Sequence, residues 1–512
     1  MEKKNMMLFI TNSSNKLWRF CLQLLNNEYK SILISMKTKY FVLLFFSLLH
    51  LSISAQASKA ENFLFVIVDD LRVQAGILGQ DQMITPNIDK LGQEGVVFNR
   101  AYCQVPTCGA SRASFLTGLY PTRERFVNYK ASHDVDAPEV VSLPMWLKQN
   151  GYTTISLGKV FHDPKDDVNA WSQKPFRAKS EKGWNTCYYS QENKDLIVQG
   201  KKGLAYDKAD FPDDAYIDGK VAKKAIETLQ DLSKSEKPFF LAVGFQKPHL
   251  PFSAPAKYWD MYKPEDIKLA DNPFPAIGAP AEAIFKISKR TDIFNSTEIR
   301  KYSGIPKIGK MDDSTAASLI HGYYACVSFI DKLLGDILNE LERLNLDKNT
   351  TVVFIGDHGW HLGEHQQWGK HSLYDRVLKS PLIVKAPGKA ANVKTNALTE
   401  YVDLYPTFCE LAGLDLPDHL HGKSFAPILE DPSKKHKEQV FARFAHGETI
   451  ITDRFLYTEY VNKYRGSIKS KMLIDLKKDP KENENAFWKY EGTEILNDLK
   501  SRLSTYQDLN NQ

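Results

Sequence analysis

Cysteine is scarce in this chain of 512 residues: there are six, and one of them, Cys21, precedes a candidate processing site. The five that remain are Cys103, Cys108, Cys187, Cys326 and Cys409. Five is odd, so at least one thiol is unpaired or modified, and a disulfide-built scaffold is excluded. Long apolar runs are also missing. The apolar-rich stretch Tyr40 to Ile53 falls short of the ~20 residues that a membrane-spanning helix needs. Internal repeats and low-complexity tracts are absent, which excludes solenoids and collagen-like chains. An excess of one charge is lacking too, except at the start. Residues 1–57 hold seven of the 67 Lys+Arg and two of the 62 Asp+Glu, leaving 60 of each sign in the remainder. A neutral body has no electrostatic reason to bind nucleic acid. What is present is ordinary globular composition: 43% hydrophobic, 25% charged, 28 Gly and 24 Pro. The length admits one large α/β domain with a smaller one beside it.

The N-terminus reads as an address. Met36-Lys-Thr-Lys39 is a short basic region, Tyr40 to Ile53 an apolar one, and Ser54-Ala-Gln-Ala57 offers small residues for cleavage. That order is a secretory signal peptide rather than a stable membrane insertion. It predicts a secreted or periplasmic bacterial protein, cleaved near Ala55 to Ala57, with Met36 as the start. No Cys follows the cleavage region, so a lipid anchor is not indicated.

Further along, Phe63–Val68, Phe239–Val243 and Thr351–Ile355 are continuous apolar runs of strand length, as expected of parallel strands buried on both faces. Helical periodicity separates them at Ile88 to Gly95, Tyr216 to Leu232 and Ala316 to Leu344. Alternation of this kind predicts a mostly parallel sheet with helices on both faces. Cys326 falls inside the helical pattern and reads as a buried apolar residue. Residues 250–285 are rich in Pro without periodicity and read as a surface excursion. From about 437, strand-like runs (Gln439 to Phe444, Ile450 to Tyr460, Lys471 to Asp475) precede a helix from Thr493 to Tyr506, predicting a small antiparallel α+β subdomain. The expected division is therefore 1–57 preface and signal, 58–436 catalytic domain, and 437–512 C-terminal subdomain.

Asp69-Asp70 directly follows the first run, and Asp357-His358-Gly359 closely follows the last. Sites in open α/β sheets form beyond the carboxyl ends of strands. Two acidic clusters at two such ends can meet, and a hard cation then offsets their repulsion. Either pair alone reads equally well as turn residues, since Asp favours turns; together they favour a metal. A third cluster runs Cys108-Gly-Ala-Ser-Arg-Ala-Ser-Phe-Leu-Thr-Gly118. By composition it is a Cys before a short helix capped by Ser111, whose N-terminus favours an anion. A lone Cys there is more often structural than reactive. His361 and His365 have the i, i+4 spacing of a helical zinc site, but Gly363 between them and the strand-turn before them predict a loop.

The Cys108–Gly118 segment resembles the signature of the type I, formylglycine-dependent sulfatases, in which a Cys followed by x-Pro/Ala-Ser-Arg and a later Leu-Thr-Gly is oxidised to formylglycine. Gly118-Leu-Tyr-Pro121 continues the pattern. Ala110 stands where many signatures have Pro, which leaves the maturation system open. The likeness extends to Phe65–Asp70, Thr85-Pro-Asn-Ile-Asp-Lys-Leu91, Asp357-His-Gly359 and Tyr401-Val-Asp-Leu-Tyr-Pro406, from about 61 to 480. Within the family, Val66–Arg72, Gly158-Lys-Val-Phe-His162, Phe239–Phe252 and Asp357–His365 are similar to the iduronate-2-sulfatase-like polysaccharide sulfatases.

The resemblance implies an alkaline-phosphatase-like large domain and one Ca²⁺ bound by Asp69, Asp70, Asp357 and His358, with formylglycine at position 108 completing the site. Three carboxylates suit calcium, while the softer imidazole of His358 suits hydrogen bonding as well. The family's hydrated formylglycine splits one hard displacement into two. Arg112 is implied to hold that hydrate and offset negative charge. Lys159 and Lys370 are implied to clamp the sulfate oxygens, where charge develops. His162 is implied to be the base for the second hydroxyl. His249 is implied to protonate the leaving alcohol, with Lys370 sharing the task. A lone His or Lys in a loop is ordinarily solvated, and only the resemblance raises these residues above that. Lys247, Trp360 and His365 are expected at the substrate, although Trp360 reads equally as a core aromatic. The implied partners are a sulfated polysaccharide or oligosaccharide and a formylglycine-generating maturation enzyme.

The expected activity is therefore hydrolysis of sulfate esters on an exported enzyme's polysaccharide substrate: uronate-2-sulfate, or the sulfated rhamnose or uronate of an ulvan-type chain. The alternative is a phosphomonoesterase or phosphodiesterase of the wider alkaline phosphatase superfamily, with a Ser/Thr nucleophile and two zinc ions. A non-catalytic glycan-binding relative is a third reading.

Overall fold

Burial on both faces decides the place of the first strand. The computed structural model describes residues 61–178, 188–284, 298–306, 310–462 and 467–510. In it, β1 (Asn62–Val68) has no side chain more than 3% exposed. Leu64, Val66 and Val68 enter one hydrophobic core, and Phe63, Phe65 and Ile67 enter another. Alternation across a strand separates the two sets. Each such side chain contributes roughly 1.5–3 kcal/mol of burial, which explains why the run carries no polar residue.

β1 lies within a seven-stranded sheet. The other strands are β2 (Val96–Phe98), β3 (Thr153–Gly158), β4 (Phe239–Phe245), β5 (Thr350–Gly356), β6 (Leu382–Lys385) and β7 (Val393–Thr395). Their order is β7-β2-β6-β5-β1-β4-β3. β6 runs antiparallel to both of its neighbours, and all other pairs are parallel. The carboxyl ends of β1 to β5 and β7 therefore share one edge.

Helices α1 (Pro86–Gln93), α3 (Ile217–Leu232) and α4 (Asp313–Arg343) pack on the Leu64 face. Helices α2 (Cys108–Thr117) and α6 (Leu404–Leu411) pack on the Phe63 face. A one-turn helix, α5 (Asp375–Leu378), lies between these last two in sequence. α4 begins three residues before the first apolar residue of its pattern, because the side chain of Asp312 accepts a hydrogen bond from Thr315 N (2.8 Å) and caps it. Cys326 is fully buried in α4, as its helical spacing predicts. Cys103, Cys108, Cys326 and Cys409 are all buried and free.

Two expectations change. Residues 252–262 are not a surface excursion: Phe252, Ala254, Tyr258 and Trp259 are buried in the α4-side core. Proline there bounds a short strand, Phe252–Pro255, instead of marking a loop. The run Ile450 to Tyr460 is two strands rather than one. β8 (Gln439–Phe444), β9 (Gly447–Thr452), β10 (Phe455–Val461) and β11 (Ile468–Asp475) form an antiparallel meander. The chain reverses at Asp453-Arg454, where Thr452 Oγ1 accepts from Phe455 N (3.0 Å). α7 (Glu494–Asn510) covers this sheet through Leu496, Leu499 and Leu503. The predicted signal segment, the start at Met36 and Cys187 lie outside the described residues. No helix among the described residues is long and apolar enough to cross a membrane.

Candidate active site

Main-chain hydrogen bonds tie the strand ends together before any side chain contributes. Asp357 N donates to Val68 O (3.0 Å), Asp69 N to Phe245 O (3.2 Å), and Lys159 N to Gly244 O (2.7 Å). The turns after β1, β3, β4 and β5 are thereby drawn to one point. Gly244 is required there, because a Cβ would lie 1.9 Å from Lys159 O. Asp70 takes a left-handed backbone, φ 59°, which costs of order 1 kcal/mol for a non-Gly residue. Two bonds hold it: Asp70 N to Asp357 Oδ1 (3.0 Å), and Tyr323 Oη to Asp70 O (2.7 Å). Tyr323 Oη also accepts from Arg72 N (2.9 Å). Removing that hydroxyl strands two buried polar groups at about 1–3 kcal/mol each. Tyr323→Phe is expected to lower Tm by several degrees and to loosen the Asp70 turn. Thermal unfolding beside kcat checks this; an unchanged Tm would contradict it.

Asp69, Asp70, Asp357 and His358 are fully buried. Ligand atoms of Asp69, Cys108, Asp357 and His358 lie within 4.8 Å of one another, as do those of Asp69, Asp70, Cys108 and His249. Three cations offset the three carboxylates. Arg112 is the most deeply set: Nε donates to Asp357 Oδ2 (2.9 Å) and Nη2 to Asp69 Oδ1 (3.4 Å), while Nη1 meets the carbonyls of Lys159 and Val160. Lys159 Nζ donates to Asp69 Oδ2. Lys370 Nζ reaches Asp70 Oδ1 (2.8 Å), Asp70 Oδ2 (3.1 Å) and Cys108 Sγ (3.2 Å). Burial raises the Cys108 thiol and the Asp69 charge adds to it, but the surrounding positive groups, Lys159 and Lys370 with His358 among them, bring it down to about 7. Burial disfavours the His358 imidazolium, yet the Asp357 and Asp70 carboxylates push it up to about 9.

The site residues fit a hard divalent cation on their own chemistry. His358 Nε2 is buried without a hydrogen-bond partner. It points among carboxylate oxygens of Asp70 (3.4 Å) and Asp357 (3.6 Å). A cluster of three buried carboxylates is a calcium-type donor set, not a sulfur-rich zinc set.

Cys108 opens helix α2, all ten residues of which are buried. Ser111 is not its cap. The helix starts at Cys108, and Ser111 Oγ donates instead to Asp357 O (2.6 Å), a partner 246 residues away. Gly118 ends α2 with φ 72°, the left-handed turn that favours glycine.

His249 and His162 border the same centre. His249 Nδ1 bonds to Leu250 O (2.7 Å), and Nε2 lies 3.1 Å from Glu298 Oε1 and 4.0 Å from Asp70 Oδ2. Burial and Lys370 oppose its positive charge, but Asp70 and Glu298 raise its pKa above the usual value. Both ring nitrogens face acceptors, an arrangement that favours the protonated ring with its two donors. His162 is the opposite case. Burial and the Lys159 charge push it down to about 3. It is neutral, with Nδ1 left unpaired.

Glu298, which local sequence does not single out, lies on the far side of His249 with Oε2 3.7 Å from Lys370 Nζ. Asp218 is another. It accepts from Gln246 N (2.7 Å) and Lys247 N (2.9 Å), fixing the turn that carries His249.

Three expected substrate contacts are placed elsewhere. Trp360 is fully buried, edge-on to Phe252 (6.3 Å between centroids) with Lys370 Nζ over its ring at 5.4 Å. It has no surface left for a sugar, so it is the core aromatic of its two readings, and it backs Lys370. His365 is buried and stacked on Tyr374 (4.6 Å), and it is in a turn, not on a helix with His361. Lys247 folds back on its own loop, Nζ donating to His249 O (2.7 Å) and Pro251 O (2.8 Å). It shapes the His249 turn and is not free for an anion.

Known proteins resemble this chain in sequence and fold. A family model described as Sulfatase matches residues 61–414, and one described as N-sulphoglucosamine sulphohydrolase, C-terminal, matches 363–509. Iduronate 2-sulfatase of Mus musculus is 33% identical over 400 residues, covering 72% of this chain and 72% of its own. An ulvan-active sulfatase of Formosa agariphila is 26% identical over 466 residues, covering 86% of this chain and 80% of its own. A protein solved in complex with its substrate D-glucosamine-2-N,6-O-disulfate superposes with a TM-score of 0.70 at 22% identity, covering 88% of this chain and 98% of that one. A phosphonate monoester hydrolase from Silicibacter pomeroyi reaches 0.71 at 21%, covering 88% and 96%. These solved structures establish the alkaline-phosphatase-like α/β architecture with its C-terminal antiparallel sheet.

Proposed function

We propose, from the premise that this chain belongs to the sulfatase family and is a sulfuric ester hydrolase, that it is exported and removes sulfate from a polysaccharide or oligosaccharide. Its substrates are a uronate-2-sulfate or an ulvan-type sulfated rhamnose or uronate, and it acts through formylglycine at position 108 and one Ca²⁺. The carrying observation is Cys108 at the first position of a buried helix, 3.2 Å from Lys370 Nζ and 4.0 Å from Asp70 Oδ1. The relatives' named substrates, iduronate 2-sulfate and ulvan, supply the two candidates. The same proposal takes residues 1–57 as the export segment, cleaved near Ala55 to Ala57, 58–436 as catalytic, and 437–512 as the closing subdomain.

Asp69, Asp70, Asp357 and His358 would hold the calcium. Bound there, it would polarise a sulfate oxygen and stabilise negative charge on residue 108. Oxidised to formylglycine and hydrated, residue 108 would supply two hydroxyls on one carbon, one to take the sulfo group in exchange for the sugar alcohol and one whose deprotonation would let sulfate depart. Lys159 and Lys370 flank that residue and neutralise the transferring group's oxygens. Arg112 keeps Asp69 and Asp357 in place and offsets their charge. The imidazolium of His249 gives its Nε2 proton to the departing alcohol, and neutral His162 takes the proton of the second hydroxyl.

Glu298 is a positioning residue for His249 in this scheme. Glu298→Gln keeps the shape and removes the charge. It is expected to lower kcat about tenfold on a sugar sulfate, whose alcohol needs protonation, and to spare an aryl sulfate, whose phenoxide leaves unaided. Equal losses on both would refute that role.

The test is sulfate release from defined oligosaccharides, with 2-sulfated uronates and ulvan fragments in the panel. The peptide mass at residue 108 establishes conversion, and Cys108→Ala is the control. Release from one class identifies the sugar. No release from either, by fully converted protein, would overturn the substrate proposal. Metal analysis separates the phosphoesterase alternative: one calcium against two zincs.

A further inference from the structure

Lys394, the adjacent pair Lys434-Lys435, and Lys477 come from three separate places in the sequence to line a single groove of 710 Å³. None has a carboxylate within ion-pair distance among the described residues, and all four are exposed. The other charges of the groove are already matched. Arg100 pairs with Asp453, Lys379 with Asp375 (2.6 Å), and Lys437 with Glu400 and Asp403 (2.6 Å each). Glu438 is the one lining acid left against four lysines. In a body with 60 charges of each sign, this is a local excess that composition conceals.

The groove opens on the catalytic edge of the sheet. Arg100 follows β2 and Asn396 follows β7, and both strands run parallel to β5, which ends just before Asp357. Its wall includes Asp375 and Lys379 at the two ends of α5. Within α5, Val377 O accepts from Gly359 N (2.7 Å), directly after His358. The same short helix therefore borders the groove and bonds to the metal-ligand loop.

We propose that this groove is a second binding site for the polymeric substrate: it holds anionic groups of a sulfated polysaccharide while another residue of the same chain lies at Cys108. Flexible ammonium groups without a bidentate fork suit repeated sulfates and carboxylates rather than one fixed anion. The lining aromatic, Tyr102, is buried with its hydroxyl on Asp375 (2.8 Å), so no stacking platform for nucleotide bases is offered. The saccharide class rests on the substrate proposed above; the anion groove itself does not.

The test compares full-length protein with Lys394→Gln/Lys434→Gln/Lys435→Gln/Lys477→Gln, both carrying Cys108→Ala for binding and Cys108 for turnover. On immobilised heparin and on ulvan, the fourfold variant is expected to elute at lower salt and to bind about tenfold more weakly at low ionic strength, the difference fading at high salt. With the active site intact, KM on the long chain rises by the same factor while kcat/KM on a sulfated disaccharide is unchanged. Unaltered elution, or an equal loss on the disaccharide, would overturn the site. So would a larger loss of binding to single-stranded DNA than to either polysaccharide. Lysine-dependent binding without hydrolysis of any saccharide would leave the groove standing and remove the proposed substrate instead.

Discussion

Cys108→Ala is expected to abolish turnover, with a fall of about 10⁵-fold or more, as removal of a covalent nucleophile does elsewhere. The fold is expected to survive, since only one buried sulfur is lost and the helix around it keeps its packing. Cys108→Ser is the more informative partner. Its single hydroxyl can accept the sulfo group but has no second hydroxyl with which to expel it. Ion chromatography should detect no steady release of sulfate, and intact mass should show one SO₃ retained. Steady turnover by the Ser variant would mean that an ordinary hydroxyl suffices and would return the chain to the phosphoesterase reading. Circular dichroism on both variants guards against simple misfolding.

Chelation is the second large effect. Without the proposed calcium, three fully buried carboxylates are offset chiefly by Arg112, Lys159 and Lys370. The two lysines then bind Asp69 and Asp70 rather than sulfate. Activity is expected to vanish and to return with added Ca²⁺ but not with zinc. At free calcium about 100-fold above Kd, the ion adds about 2.7 kcal/mol to folding, so Tm falls by several degrees on chelation. Asp357→Asn gives the same result without chelator: metal content drops below one per chain, and activity falls by about 10³-fold or more, while Arg112 keeps Asp69 as a partner. Full activity in EDTA after dialysis would overturn the calcium assignment.

The acid pairs were legible because a strand end is a local signal. Phe63–Val68 and Thr351–Ile355 are apolar throughout, and Asp69 and Asp357 are among the first polar side chains after them. Residues whose partners are remote were not. Ser111 looks like a cap in isolation, and its real acceptor, Asp357 O, is 246 residues away. Glu298 has no motif around it, and only the fold brings it to His249. Trp360 was ambiguous because its burial depends on Phe252, inside a segment whose prolines suggested surface. Lys247 carries the right charge for an anion, but two carbonyls of its own turn hold its ammonium group.

β1 belongs to two cores at once, and Asp69-Asp70 is its continuation. Neither core can open by itself without displacing the strand that ends in the acid pair. Protein regions often open in separate cooperative units, but here both layers share one spine. Thermal inactivation and loss of tertiary structure should therefore follow a single curve, with no folded and catalytically silent state between native enzyme and unfolded chain.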